Sequence, residues 1–335
     1  MKTIIPVTKI GFHGETGDAR SPESFPLPAC MTSLAEALGV DFGTEIIHAH
    51  NREYLHRRGN REFLAASGMA FGLLWHDALC MSALDLTQIA PVGETVRRAF
   101  GWAGLACEML HSADGVSGDM ALEKVRASID RGAPVLGFGL FDPPECALIA
   151  GYDEDALIGW SHFQGAANLP CEDNGMFRLT GWKKDWWAFV ISGARVEKRR
   201  TLEEVFSTAR EVMAMTRAEG YRAGQAAYDA WIELLGAGDV DEKTLEARFS
   251  YHHNILFSLA ELRAWGGDFL SSHGAMRAGR AFKEIHDLCW AADAVAREGK
   301  WRTLQSAEGR QALIEIIERI RALDLEAAGA LAVDA

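Results

Sequence analysis

Cys30 stands two residues after Pro28, where a helix is predicted to begin. The unsatisfied backbone N–H groups at a helix start, and the macrodipole they terminate, favour a thiolate. A cysteine so placed is equipped to attack a carbonyl carbon. The alternative for the same residue is a small buried hydrophobe, the usual state of a free cysteine. Eleven histidines also invite metal chemistry. His48, His50 and His56 share one polar stretch and His76 adjoins Asp77, but none has a ligand spacing such as H-E-x-x-H, so a solvated face is expected. His252, between Phe249 and Leu256 on an apolar helical phase, reads as a core histidine. Gly137-x-Gly139 lacks the rest of a dinucleotide fingerprint and there is no Walker A loop, so neither a cofactor nor a metal is implied.

The elements that must position Cys30 follow from periodicity. Ala29–Gly39 reads as a short helix with Met31, Leu34, Ala35 and Leu38 on its apolar face, and Asp119–Asp130 as a second with Leu122, Val125 and Ile129 inward. Strands are predicted over Pro134–Phe141, Cys146–Tyr152, Ala156–His162 and Trp187–Val196, separated by turn residues in the manner of an antiparallel meander. Trp182, Trp186 and Trp187 at a strand start suit a core or a domain interface, with a recognition surface as the alternative. The composition changes near Glu197-Lys198-Arg199-Arg200. Thr201-x-x-Glu204 is a capping box for a helix burying Leu202, Val205, Phe206, Ala209, Val212 and Met213. Further helices are expected at about 221–235, 242–264, 276–297 and 308–328, the last with a stripe of Leu313, Ile316, Ile317, Ile320 and Leu323. The reading is α+β, with an antiparallel-sheet domain over 1–197 and an all-α helical domain over 198–335.

Composition bounds the function. Thirty-four basic against 47 acidic residues give a net charge of −13, the wrong sign for phosphate backbones or anionic headgroups, so neither nucleic acid nor membrane is an expected partner. The first ten residues are broken by Pro6 and Thr8 and are too short for a signal core, and no run approaches the roughly 20 apolar residues of a membrane span. Six cysteines without a C-x-x-C pair suggest free thiols, and the expected compartment is the cytoplasm.

Ile129-Asp130-Arg131-Gly132-Ala133-Pro134-Val135 leads into one strand, and a later strand ends in Gly151-Tyr152-Asp153. With a helix-borne Cys30 ahead of both, the chain resembles the papain-like cysteine peptidase fold. It is most similar in pattern to the leader-peptide-cleaving domains of bacteriocin exporters and to the N-terminal domain of the butirosin-biosynthesis acyltransferase type. Ser67-Gly68-Met69-Ala70-Phe71 resembles a segment of that acyltransferase type. The likeness covers roughly residues 20–195, and the C-terminal helices resemble the helical appendage of such proteins.

The resemblance implies that Cys30 attacks a carbonyl while a His at the start of the strand leading to Gly151 takes its proton. Glu145 occupies that His position, His162 lies near the third triad position, and Ser24 replaces an upstream oxyanion-donating Gln. Opposite residues of antiparallel strands lie about 5 Å apart, so Glu145 and His162 could form an exchanged pair, with the imidazole as base and the carboxylate as its orienter. Gln164 and Trp160 share the phase of His162, the first as an oxyanion donor or rim hydrogen-bonder and the second as a pocket wall or core residue. Cys146 adjoins Glu145, and alternation lets only one of them face the cleft. The expected function is cysteine-dependent acyl transfer, or amide or thioester hydrolysis, on a small molecule, a peptide or a carrier-protein thioester. The alternative is a catalytically inactive scaffold that binds such a molecule. The apolar stripes of the last helices suggest a homo-oligomer.

Overall fold

The computed structural model describes residues 2–10, 24–49, 52–84, 86–238, 241–297 and 300–333. In chain order the elements are β1 (Lys2–Ile4), α1 (Pro26–Ala37), β2 (Thr44–Ala49), β3 (Arg52–Arg57), α2 (Arg58–Ser67), β4 (Leu74–Trp75), α3 (Val92–Ala103) and β5 (Leu105–His111). They continue as α4 (Gly118–Asp130), β6 (Val135–Phe138), β7 (Ala147–Asp153), β8 (Ala156–Trp160), β9 (Phe177–Leu179) and β10 (Ala188–Arg195). Then follow α5 (Leu202–Ala214), β11 (Arg217–Ala218), β12 (Tyr221–Ala223), α6 (Gly224–Gly236), α7 (Glu242–Ser272), α8 (Met276–Arg297) and α9 (Ala307–Val333). The chain forms two units, Met1–Phe63 with Ala99–Arg200 and Leu64–Arg98 with Thr201–Ala335. The division at Arg200 falls close to the expected 197/198 boundary. Leu64–Arg98 differs from that expectation, because its large apolar side chains pack with the C-terminal helices: Phe71 meets Phe282 and Trp75 stacks on Trp231.

The first unit mixes helices with an antiparallel seven-stranded sheet ordered β5-β10-β6-β7-β8-β9, with β1 added to β7. β6 pairs with Ala147–Ile149 of β7 and β1 with Gly151–Asp153, so the two strands share one flank of β7. The α4 helix starts at a Ser117 cap and buries Leu122, Val125 and Ile129, the face its spacing predicts. That face meets Leu110, Val135, Ala147, Ile149, Leu157, Phe189 and Ile191 in one core, which also takes in Trp182 and Trp186. Side chains alternate across a sheet. Leu136, Leu148, Ile158 and Trp160 therefore occupy the other face, and α1, which packs on β6 and β7 and contributes nothing to the α4 core, covers it. The predicted strands recur within a few residues, whereas β1, the β2–β3 hairpin, β5 and β9 are additional.

The second unit holds α5–α9 and a small sheet ordered β11-β12-β4. The Thr201–Glu204 capping box forms as its sequence requires. α7 and α9 run beyond the expected ends, to Ser272 and Val333. Leu313, Ile317, Ile320 and Leu323 are buried within this unit, so the stripe that suggested self-association is used for internal packing. Among the described residues no helix is long and apolar enough to cross a membrane.

Candidate active site

Pro26 and Pro28 fit the first turn of α1, where a missing N–H breaks no helical bond, and they draw the helix start forward to Pro26. Cys30 is consequently the fifth helical residue. This corrects the expectation that its thiol sits among free N–H groups at the tip, since the dipole's effect fades beyond the first turn. The side chain is fully buried, and its thiol donates to the main-chain carbonyl of Cys146 at 3.7 Å. That contact ties the helix to the residue just ahead of β7 and beside Glu145.

The last registered pair of β7 and β8 is Leu148 opposite Trp160. Cys146 and Glu145 lie ahead of β7, and His162 opens a turn two residues after β8, so the ladder itself stops short of all three. Cys146 and His162 are buried, with 2% and 4% of their surface exposed, while Glu145 is half-buried. Ser161 is buried beside His162, and Ser24 lies exposed before α1.

Gln164 uses both ends of its carboxamide within its own loop. Its oxygen accepts from Ser161 N–H at 3.2 Å, and its nitrogen donates to Gly175 O at 2.9 Å with Cys171 Sγ at 3.9 Å. These bonds assign it to holding the 161–175 loop. Trp160 lies at the last position of β8 on the α1 face, with the Lys9 ammonium 5.4 Å above its ring. Its indole nitrogen is buried and has no hydrogen-bond partner among the described residues.

A second polar group in this unit escaped the sequence reading. Arg57 Nη1 donates to Ser33 Oγ at 2.8 Å and to Glu36 Oε2 at 3.1 Å. Arg61 bonds Glu45 at 3.0 Å and Glu62 at 3.2 Å, and Trp102 Nε1 donates to Glu62 at 3.0 Å. His56 is fully buried among them, which corrects its assignment to a solvated face. Burial first, then the Arg61, Arg57 and Arg58 charges, holds its pKa at about 3, so the ring is neutral. The signal was available as the period-two spacing of Tyr54 and His56 in β3, obscured by the charged residues around them. Of the proposed cluster, His50 lies outside the described residues. His76 caps its own turn, its Nδ1 accepting from Ala78 N–H at 3.1 Å, while Asp77 pairs with Arg222 at 2.9 Å. His252 is buried and accepts from Trp231 Nε1 at 2.9 Å.

Among the described residues no three His, Cys, Asp or Glu side chains gather as a metal-binding group. The chemistry this region offers is that of a thiol set against the Cys146 carbonyl, with a buried indole donor at the end of β8. Compared with known proteins, the chain matches no family model and no curated protein sequence.

Proposed function

We propose that the first unit is a papain-like domain that performs cysteine-dependent acyl transfer, or amide or thioester hydrolysis, on a small-molecule, peptide or carrier-protein thioester substrate. The observation that carries this reading is the 3.7 Å contact of Cys30 Sγ with Cys146 O, which sets the thiol at the residue just ahead of β7 and beside Glu145. In the reaction the Cys30 sulfur bonds to the substrate carbonyl carbon while its proton passes to His162. The carbonyl oxygen holds the displaced electron pair until the bond to the leaving nitrogen, oxygen or sulfur breaks and that atom takes the proton. Water or an acceptor amine or hydroxyl then attacks the resulting Cys30 thioester and frees the thiol.

One observation favours the second reading, a binding scaffold without turnover: the Cys30 side chain has no exposed surface, so attack requires a local opening. Incubation with an acyl N-acetylcysteamine thioester, read by intact mass and peptide mapping, separates the two. Cys80 and Cys171 are exposed thiols that report background acylation. Catalysis requires an acyl adduct on Cys30 that forms faster than on these two and disappears in Cys30→Ala. An unmodified Cys30 under conditions that acylate Cys80 refutes the enzymatic reading and leaves the scaffold.

A further inference from the structure

Gln164 is tied to Ser161, Gly175 and Cys171, so the donor for a developing oxyanion must be sought elsewhere on the α1 face of the sheet. Acyl transfer through a tetrahedral intermediate needs a preorganised N–H or O–H aimed at the carbonyl oxygen, in a site from which water is excluded. A buried indole N–H ordinarily finds an acceptor. In the same unit Trp102 donates to Glu62 and Trp182 donates to Asp155 O at 2.9 Å. Trp160 differs from both: it is only 6% exposed, and its indole nitrogen lacks an acceptor among the described residues.

The ring is held so that this edge is the one left open. A Cβ built on Gly175 would lie 3.1 Å from Trp160 Cη2 and 3.6 Å from Cζ3, so the loop backbone abuts the benzo edge, opposite the pyrrole nitrogen. Gly175 has φ +85°, a conformation that glycine adopts without strain. The Gln164 bond to Gly175 O fixes that loop, and the Lys9 ammonium lies over the ring face. Trp160 faces Leu148 across the strand pair, two residues from the Cys146 carbonyl that accepts from Cys30, and two residues before His162.

We propose that the Trp160 indole N–H is the donor that holds the carbonyl oxygen of the acyl group presented to Cys30, with Gln164 positioning the ring through Gly175. This rests on Cys30 being the nucleophile. As the sulfur–carbon bond forms, the oxygen gains the electron pair and accepts the indole hydrogen bond. When the leaving group departs, the pair returns to the carbonyl and the bond weakens. Alkylation by iodoacetamide passes through no such oxyanion, so the two reagents separate a donor from a packing residue.

The test compares the whole chain with Trp160→Phe and Cys30→Ala, measuring Cys30 acylation by acetyl N-acetylcysteamine and Cys30 alkylation by iodoacetamide. Loss of an oxyanion donor should slow acylation by roughly 100-fold or more. Alkylation should remain within about threefold of wild type. Equal loss of both rates, or loss of neither, overturns the Trp160 assignment while leaving Cys30 as nucleophile. Absence of Cys30 acylation in the wild type overturns the catalytic reading, and this assignment with it. Where Trp160→Phe does not fold, indole proton–nitrogen NMR of the wild type supplies the readout. Thiohemiacetal formation with propionaldehyde should move one buried indole proton downfield in wild type and none in Cys30→Ala. An unmoved spectrum with Cys30 modified overturns the proposal.

Discussion

Replacing Asp324 tests how the second unit is held, because its carboxylate is the hub of a buried polar group. Arg263, 1% exposed in α7, donates to Asp324 through Nε at 2.9 Å and Nη2 at 2.7 Å. Its Nη1 reaches Ala70 O at 2.8 Å and Gly72 O at 3.1 Å, and the guanidinium lies 4.8 Å from the Phe282 ring centre. Tyr228 Oη donates to Asp324 Oδ2 at 2.6 Å, the oxygen that also accepts from Arg263 Nη2. Burial, reinforced by the Asp324 charge, pushes this phenol well above its ordinary range, so it remains a donor. Asp324→Ala strips two charge-assisted bonds from a buried cation, a loss of about 3–5 kcal/mol. It also leaves the Tyr228 hydroxyl without an acceptor, so about 4–6 kcal/mol is expected in all. Set against a whole-domain stability of about 5–15 kcal/mol, that is close to unfolding. Asp324→Asn, which keeps one acceptor oxygen but replaces the other with an NH2 donor and removes the charge, is the measurable variant and should cost about 3 kcal/mol. Urea unfolding followed by tryptophan fluorescence gives the number, with Arg263→Met and the double variant completing the cycle. The double variant should be no worse than the harsher single one, a coupling of about 3–5 kcal/mol. A loss below about 1 kcal/mol for Asp324→Asn, or additive single losses, refutes the reasoning.

The His56 ring and the α1–α2 contact give two further tests. The unfolded chain protonates His56 near its ordinary 6.5, whereas the folded form resists until about 3. The unfolded state therefore binds more protons in this window, and stability falls as pH drops from about 6.5 toward 3, by up to about 1.4 kcal/mol per pH unit. His56→Gln should flatten the pH dependence of urea unfolding between pH 6.5 and 4.5, and an unchanged slope speaks against a buried neutral ring. Gly59 of α2 lies so near α1 that an added Cβ would stand 2.7 Å from Thr32 Cγ2. Gly59→Ala gains about 1 kcal/mol of helix propensity but overpacks a contact at about 1–3 kcal/mol, so the melting temperature should fall. Adding it to Thr32→Ala should instead raise the melting temperature, and a fall in that background counts against the contact.

Helices α1 and α4 to α9 were legible, and α2 and α3 were not, because in the former apolar spacing and end signals agree: Ser117 and Thr201 cap where side-chain oxygens can reach an N3 amide, and Leu313 to Leu323 keep one phase. The β7, β8 and β10 strands were legible as apolar runs between turn residues. The β2–β3 hairpin was not, because charged residues such as Glu45, Glu53 and Arg57 dominate its composition although Tyr54 and His56 are buried. Membership of Leu64–Arg98 in the second unit was illegible for a different reason. It depends on contacts nearly 200 residues apart, such as Arg263 with the Ala70 and Gly72 carbonyls, and these also give the Ser67-to-Phe71 motif a structural task.

At the candidate site, residue types were readable but pairing was not, and the cause can be traced to one turn and one bulge. Asp153 pairs with Ala156 across the two residues Glu154 and Asp155, and Glu154 takes φ +50°, the left-handed conformation such a hairpin requires. The irregularity between Ile149 and Gly151 shifts the register by one residue, and the ladder ends at Leu148 opposite Trp160, before His162 opens a turn. Cys146, whose carbonyl meets Cys30, and Glu145 both lie ahead of β7, so strand register fixes neither as the partner of His162. If the orienting group of His162 is not Glu145, then Glu145→Gln should leave Cys30 acylation within about threefold, whereas loss of a triad orienter reduces it by orders of magnitude.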